Sequence, residues 1–413
     1  MSTEPLIKEI ERAFPERPFT IELWDGSRLA STNGGGPTFT ARSKDALAYA
    51  VSAPTQLQLG LGRAYVSGAI EVDDMDAVIE LMNDWKPPPI GRLELGRLLT
   101  AALRSGGVRR PPPAPKAELH LRGRKHTTKR DREAVRHHYD VGNEFFSLFL
   151  DDSMTYSCAF FSRVPKRRGF RSREATPTLE EAQEAKLELV CTKLDLQPGQ
   201  RVLDVGCGWG SFVIHAAERH GVEAVGITLS EPQAELARER VAAAGLSDRV
   251  EIRVQDYREL AGEDFDAVAS IGMVEHVGEA QIDVYAEQLA SMLRPGGRLL
   301  NHGISRLRHG SVGGGPFSER YVFPDGETLH VSRVILALER AGFVAQHVEE
   351  FGADYAETLR HWIHNLDQNL ERAEQLAGPE RLRVWRLYLR AARNGFEIDF
   401  TSVYQVLCRL GRT

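Results

Sequence analysis

Arg201-Val202-Leu203-Asp204-Val205-Gly206-Cys207-Gly208-Trp209-Gly210 decides the fold of this chain. Val202 to Val205 reads as a short buried strand closed by an acid. Gly206, Gly208 and Gly210 follow at alternate positions, and Phe212-Val213-Ile214 opens a segment of helical character. Glycines serve where a backbone turns sharply or where a ligand approaches it closely. A strand, a glycine turn and a helix N-terminus in succession point to a nucleotide-type cofactor at the first crossover of a parallel sheet. Ser211 stands where a dinucleotide fingerprint needs its last glycine. The shorter turn suits a cofactor without a pyrophosphate, such as S-adenosylmethionine. A tight turn with no ligand is the competing reading, made costly by the entropy that three glycines lose on folding.

Outward from this turn the rhythm is βα. Leu179 to Leu194 is an amphipathic helix. Ser211 to His220 is a helix ended by Gly221, Ala224 to Ile227 a strand, and Glu231 to Ala244 a helix ended by Gly245. Val250–Val254 and Phe265–Ile271 are strands. Tyr285 to Leu293 is a helix stopped by Pro295-Gly296-Gly297, with a short strand Arg298–Leu300 after it. Val331 to Arg340 is a helix, Phe343 to Val348 a strand, Tyr355 to Arg393 largely helical, and Val403 to Leu407 a final strand. The fold class is α/β, a doubly wound, Rossmann-like parallel sheet, with ligands at the carboxyl ends of its strands.

Residues 1–104 read as a smaller α+β accessory unit with a hairpin around Asp25-Gly26, a helix from Ala46 to Leu61, a β-like segment from Arg63 to Val72 and a helix from Asp76 to Met82. It suits docking or dimerisation. Residues 105–132 form a basic linker rich in proline and glycine, with Arg109, Arg110, Lys116, Arg122, Arg124, Lys125, Lys129, Arg130 and Arg132. Its plain reading is a solvated tether. The sharper one is attraction to anionic lipid, about 1 kcal/mol per basic residue at a charged surface. The catalytic domain spans 133–413. A second basic tract, with Lys166, Arg167, Arg168, Arg171 and Arg173, lies in an insertion at 163–178.

At 413 residues, two domains are the natural division. A net charge of −6 argues against nucleic acid as a partner. No apolar run reaches membrane-spanning length and no signal-peptide core opens the chain, so a cytoplasmic protein is expected. The four cysteines form no C-x-x-C pair, so neither a disulfide framework nor a metal site is expected, and Cys191 reads as core.

Strand ends then nominate the site. Thr228-Leu229-Ser230 and Gln233 follow the second strand, where hydroxyls and an amide can hold ribose. Asp256 and Tyr257 follow the third, placed for an adenine amino group and its ring face. Glu275-His276 follows the fourth, and His302 with Ile304 the fifth. Ionisable groups at neighbouring strand ends favour a reaction centre over isolated core histidines.

The glycine turn resembles the S-adenosylmethionine loop of the cyclopropane-fatty-acyl-phospholipid and mycolic acid cyclopropane synthases. His138-Tyr139-Asp140-Val141-Gly142-Asn143-Glu144-Phe145-Phe146, Tyr156-Ser157-Cys158-Ala159, Glu275-His276-Val277-Gly278, His302-x-Ile304 and Phe351-Gly352-Ala353-Asp354-Tyr355 resemble that family in the same order. The resemblance implies a bicarbonate ion held by Cys158, Glu275, His302, Ile304 and Tyr355. It implies S-adenosyl-L-methionine lined by Tyr156, Ser157, Gly206, Gly208, Gly210, Thr228, Leu229 and Gln233, with Asp256 and Tyr257 at adenine.

The implied activity is methylation of the cis double bond of unsaturated phospholipid acyl chains at the inner membrane face, closing a cyclopropane ring. A methylene or methyl-branched product, or a non-catalytic lipid-binding protein, are the rivals, and a homodimer is left open. An alkene needs a strong methyl electrophile, and the resulting carbocation needs a dry pocket and a base. Cys158 reads as a backbone amide donor rather than a nucleophile. Gly303 stands where many relatives carry threonine, leaving room for a changed acceptor pose.

Overall fold

The computed structural model describes residues 2–50, 57–106, 112–121, 123, 125–139, 141–164, 177–308 and 315–411. The basic tract at 166–173 and the linker residues Arg109, Arg110, Arg122 and Arg124 lie outside them, as does Asp140.

The chain divides into two compact units. The first holds Met1–His120 and also Gly315–Tyr321 and Ala377–Ala391. It therefore runs past residue 104 and takes in two later segments. Thr20–Glu22 pairs antiparallel with Arg28–Leu29 around Gly26, and parallel with Thr38–Ala41, which Ile70–Val72 completes. The β-like reading of Arg63 to Val72 is corrected. Leu57–Val66 is helical and only Ile70–Val72 is a strand, because the turn falls at Gly68 with φ +75°. Glu118 anchors the segment 315–321. Its carboxylate accepts from Arg63 Nη2 at 2.7 Å and from Tyr321 Oη at 3.0 Å.

The second unit holds Leu121–Gly314, Val322–Leu376 and Ala392–Thr413. Its strands are β1 (Arg201–Val205), β2 (Glu223–Thr228), β3 (Val250–Val254), β4 (Phe265–Ile271), β5 (Leu293–Arg306), β6 (Phe343–Glu350) and β7 (Thr401–Leu410). They lie in the order β3-β2-β1-β4-β5-β7-β6. β1 to β5 run parallel, while β7 is antiparallel to both its neighbours. The sheet is mostly parallel, as expected, with one reversed strand that the reading above did not foresee. Alternate residues face opposite cores. Leu203 and Val205 enter one, and Val202 enters the other with Ala224 and Phe212.

The helices of this unit include α1 (Thr128–Tyr139), α2 (Asn143–Ser147), α3 (Leu179–Leu194), α4 (Ser211–His220), α5 (Glu231–Ala243), α6 (Ile282–Ser291), α7 (Val331–Arg340) and α8 (Gly352–Gln368). α1 begins inside the expected linker, and Arg130 on it is tied to Asp325, with Nη2 to Oδ1 at 2.8 Å. Thr178 caps α3 by accepting from Glu181 N–H at 3.2 Å. The helix expected at Tyr285–Leu293 starts earlier, at Ile282, and ends at Ser291.

Pro295-Gly296-Gly297 does not precede β5 but bulges within it. Phe265 faces Leu293 and Ala267 already faces Arg298, so the intervening residues of β5 are looped out of register. His302 and Ile304 accordingly sit inside β5, opposite Gln405 and Val403 of β7, not beyond its end.

Candidate active site

The glycine turn is strained by design. Gly206, Gly208 and Gly210 have φ of +84°, +53° and +82°, a region costing any other residue about 1–2 kcal/mol. A Cβ at Gly208 would meet no protein atom within 4 Å, since Gly208 borders an open cavity at the strand ends. Gly210 does not line that cavity. It turns the chain into α4, where a Cβ would stand 3.3 Å from Ala237.

The other residues expected at the cofactor all line the cavity: Tyr156, Ser157, Gly206, Gly208, Thr228, Leu229, Gln233, Asp256 and Tyr257. Thr228 Oγ1 donates to Gln233 Oε1 at 2.9 Å, so the two hold each other at the end of β2. Asp256 is clamped by Arg258, with Nε to Oδ1 at 2.9 Å and Nη2 to Oδ2 at 2.6 Å. The Arg258 N–H also reaches Oδ1, at 3.0 Å. One lone pair on Oδ2 is therefore left for a ligand donor. Tyr257 packs edge-on to Tyr285 at 5.7 Å, and burial pushes its hydroxyl up to about 12.

Two cavity residues escaped the sequence reading. Asp204, the acid closing β1, is buried, its Oδ1 has no hydrogen-bond partner, and burial raises its carboxyl to about 7. Lys186 is 1% exposed and burial lowers its ammonium to about 8. Its Nζ donates to Ser157 Oγ at 3.1 Å. Its signal was a charge among Ala182, Leu187 and Val190 on the buried face of α3. An aromatic wall completes the cavity. Tyr156 stacks on Trp362 at 5.2 Å, and Phe146 lies 5.1 Å from Trp209.

The five expected catalytic residues do not line this cavity, and they form two adjoining groups. In the first, Glu275 Oε1 accepts from the Ile304 N–H at 2.7 Å. Glu275 Oε2 is buried with no hydrogen-bond partner, and burial raises the carboxyl to about 7. His302, also on β5, is held neutral. Burial, helped by the charges of Lys186 and Lys193, lowers it to about 3. Lys193 Nζ donates to Gln405 Oε1 at 2.7 Å, which turns the Gln405 amide nitrogen toward His302 Nδ1 at 3.5 Å. Nδ1 is then the acceptor and Nε2 carries the proton.

In the second group, Cys158 Sγ donates to Ala159 O at 3.3 Å and Phe351 O at 3.6 Å, and burial pushes the thiol well up. That favours the reading of Cys158 as structural at its side chain. The Tyr355 N–H bonds Phe351 O at 3.0 Å, and its ring packs on Phe396 at 4.6 Å. Phe160 joins the groups, stacked on Phe351 at 3.8 Å and on His302 at 6.0 Å.

Gly303 does not leave room. A Cβ there would stand 2.3 Å from Val274 Cγ1, so the space a side chain would use is filled from the residue before Glu275.

Comparison with known proteins agrees with this architecture. The family model described as mycolic acid cyclopropane synthetase matches residues 126–406. A Pseudomonas putida protein named "Probable fatty acid methyltransferase" is 36% identical over 397 residues, covering 94% of this chain and 91% of the relative. The cyclopropane-fatty-acyl-phospholipid synthase of Escherichia coli K12 is 32% identical over 357 residues, covering 86% and 83%. A mycolic acid cyclopropane synthase solved with SAH and CTAB aligns with a TM-score of 0.61 at 32% identity, over 67% of this chain and 98% of that one. Sheet order, glycine turn and matched length lead to one assignment: the chain belongs to the mycolic acid cyclopropane synthetase family of S-adenosylmethionine-dependent methyltransferases.

Proposed function

We propose that this enzyme methylates the cis double bond of unsaturated phospholipid acyl chains and closes a cyclopropane ring, with a bound bicarbonate ion near the base position. The observation that carries the proposal is Glu275: one oxygen fixed by Ile304, the other buried and unpartnered, and a carboxyl that titrates near neutrality.

S-adenosylmethionine supplies the electrophilic methyl group. The open face of Gly208 and the unpartnered Asp204 oxygen suit the amino-acid end of that cofactor. The Asp204 carboxylate can accept from its ammonium, and Lys186 can donate to its carboxylate. Tyr139, Tyr156 and Trp209 line the cavity, and aromatic rings there would favour a sulfonium through cation–π attraction while keeping water out.

Bicarbonate would supply a small base in place of a protein carboxylate, which a neighbouring sulfonium could alkylate or ion-pair with. The groups that would hold it are the Nε2–H of neutral His302, the unpartnered Oε2 of Glu275, the Cys158 N–H and the Tyr355 hydroxyl. Glu275 can take a proton on Oε2 and pass it outward, because its affinity is matched to neutral pH. His302 orients and does not titrate in this range.

The peripheral setting follows from the substrate. No helix among the described residues is long and apolar enough to cross a membrane. Exposed Lys129 and Arg132 on α1 offer charge to an anionic surface. A second reading is a methyl or methylene branch in place of the ring; the name of the Pseudomonas putida relative, a fatty acid methyltransferase, specifies methylation and names no ring.

Purified protein is incubated with labelled methyl donor and unsaturated phospholipid vesicles, and the acyl chains are resolved by mass spectrometry. A ring product is expected. A branched product establishes the second reading, and no label in the acyl fraction overturns both. Tyr355→Phe is expected to lower kcat by about 10²-fold.

A further inference from the structure

Behind the sheet, away from the cavity, α3 and α4 bring together metal-ligating side chains that the methyl-transfer reading does not use. Cys191 lies on α3, while His215 lies on α4 and His220 ends it. One ligand atom from each lies within 4.8 Å of the other two. Glu188, three residues before Cys191 and on the same helix face, adds a fourth. Its Oε2 stands 3.2 Å from His215 Nε2 and 3.1 Å from His220 Nε2.

We propose that Cys191, His215, His220 and Glu188 form a binding site for a thiophilic divalent cation of the zinc class.

The separations support this. Bonds of about 2.0–2.1 Å at tetrahedral angles put neighbouring nitrogen and oxygen ligands about 3.3 Å apart. The two separations from Glu188 to the imidazoles match that spacing, and the Cys191 thiol lies within 4.8 Å of a nitrogen of each imidazole. The ligand types match too: one thiolate, two imidazoles and one carboxylate, a set borderline-soft ions prefer over magnesium or calcium. Both helices are rigid supports, and Thr192 Oγ1 lies 3.5 Å from Glu188 Oε1, steadying the carboxylate from behind. Cys191 is fully buried, whereas the Glu188 side chain is 50% exposed and opens the cluster to solvent. The nearby charges are the ion pair Arg219–Glu184, at 3.1 Å.

Binding balances simply. The cation replaces the proton of the Cys191 thiol, which leaves to solvent. In the free protein each imidazole donates its Nε2–H to the Glu188 carboxylate; on binding, that proton shifts to Nδ1 and Nε2 is offered to the cation. Thiolate and carboxylate neutralise the double charge. The ion ties together the two helices whose other residues, Lys186 on α3 and Ser211 on α4, border the cofactor cavity.

The spacing rule for zinc missed this set because two ligands come from each helix, as E-x-x-C and H-x4-H, with no C-x-x-C among them.

The test titrates cobalt(II) into untagged, chelator-treated full-length protein. One equivalent is expected to bind, with the visible absorption of a tetrahedral ion and a near-ultraviolet thiolate charge-transfer band. Cys191→Ser is expected to remove that band. His220→Gln, at the end of α4 where the side chain is 20% exposed, is expected to weaken binding at least tenfold, with an unchanged thermal midpoint of the metal-free protein as the check on folding, and zinc is expected to displace the cobalt. Weak binding without the thiolate band, or binding unchanged by His220→Gln, overturns the proposal. None of these readouts depends on the methyl-transfer assignment.

Discussion

Two buried carboxyl groups, Glu275 and Asp204, hold protons that the unfolded chain would release. Each holds its proton to about pH 7 when folded, against about 4 to 4.5 for an unfolded side chain. Between those values the unfolded chain binds fewer protons than the folded one. These two groups therefore contribute stability that is lost as pH rises from about 4.5 to 7, while His302 and His276, lowered by burial to about 3 and about 4, contribute stability that is gained as pH rises toward 6.5, so the net profile of the protein is the difference between the two pairs. Glu275→Gln keeps an oxygen for the Ile304 N–H and removes the charge. Its thermal midpoint is expected to exceed the parent's by several degrees at pH 8, with the gap closing below pH 5. Its kcat is expected to fall by about 10²-fold or more, and the limb of the rate profile near pH 7 is expected to disappear. A parent profile flat across pH 6 to 8 would remove Glu275 as the titrating group.

Gly303 makes a second case at this scale. Gly303→Thr forces a Cβ against Val274 and is expected to cost about 1–3 kcal/mol in denaturant unfolding. Adding Val274→Ala is expected to return most of it. If the single variant is neutral, β5 yields more than its close contact implies.

Among elements, the glycine turn has the sharpest requirement. Gly206→Ala places a Cβ on a backbone at φ +84°, and is expected to lose about 1–2 kcal/mol of stability along with affinity for S-adenosylhomocysteine by calorimetry. This turn was legible because its glycines, its apolar strand and the helix Ser211–His220 with Gly221 behind it all speak to one geometry. α3, α7 and β4 were legible for a similar reason, since their periodicity and their end signals agree.

β5 was not. Pro295-Gly296-Gly297 carries a strong local stop signal, and only pairing with β4 shows that the strand continues past the bulge. The antiparallel direction of β7 was hidden too, because direction is a tertiary choice that a run of apolar residues does not encode. In the candidate site, residues on strand-end turns could be named from sequence. Lys186 and Gln405 could not, because their roles arise from partners far along the chain.

For the whole molecule, the first unit depends on a buried charge. Glu118, held by Arg63 and Tyr321, fastens Gly315–Tyr321 to the N-terminal segment. Removing one partner of such a pair costs about 3–5 kcal/mol. Glu118→Ala is expected to speed amide hydrogen exchange in Leu57–Val66 and Pro316–Tyr321 while leaving β1 and β4 protected. Faster exchange throughout would show that the two units unfold together.

β7 pairs with β5 across about a hundred residues of chain and separates it from β6. A ribosome delivers β5, with His302 and Ile304 already on it, long before the strand that covers its outer edge. For that interval the nascent enzyme presents a bare ladder of amides and carbonyls beside an apolar face, the kind of surface on which chains misjoin. Chaperone dependence during synthesis, made worse by a translational pause placed between the codons of β5 and those of β7, would be the cellular trace of that strand order.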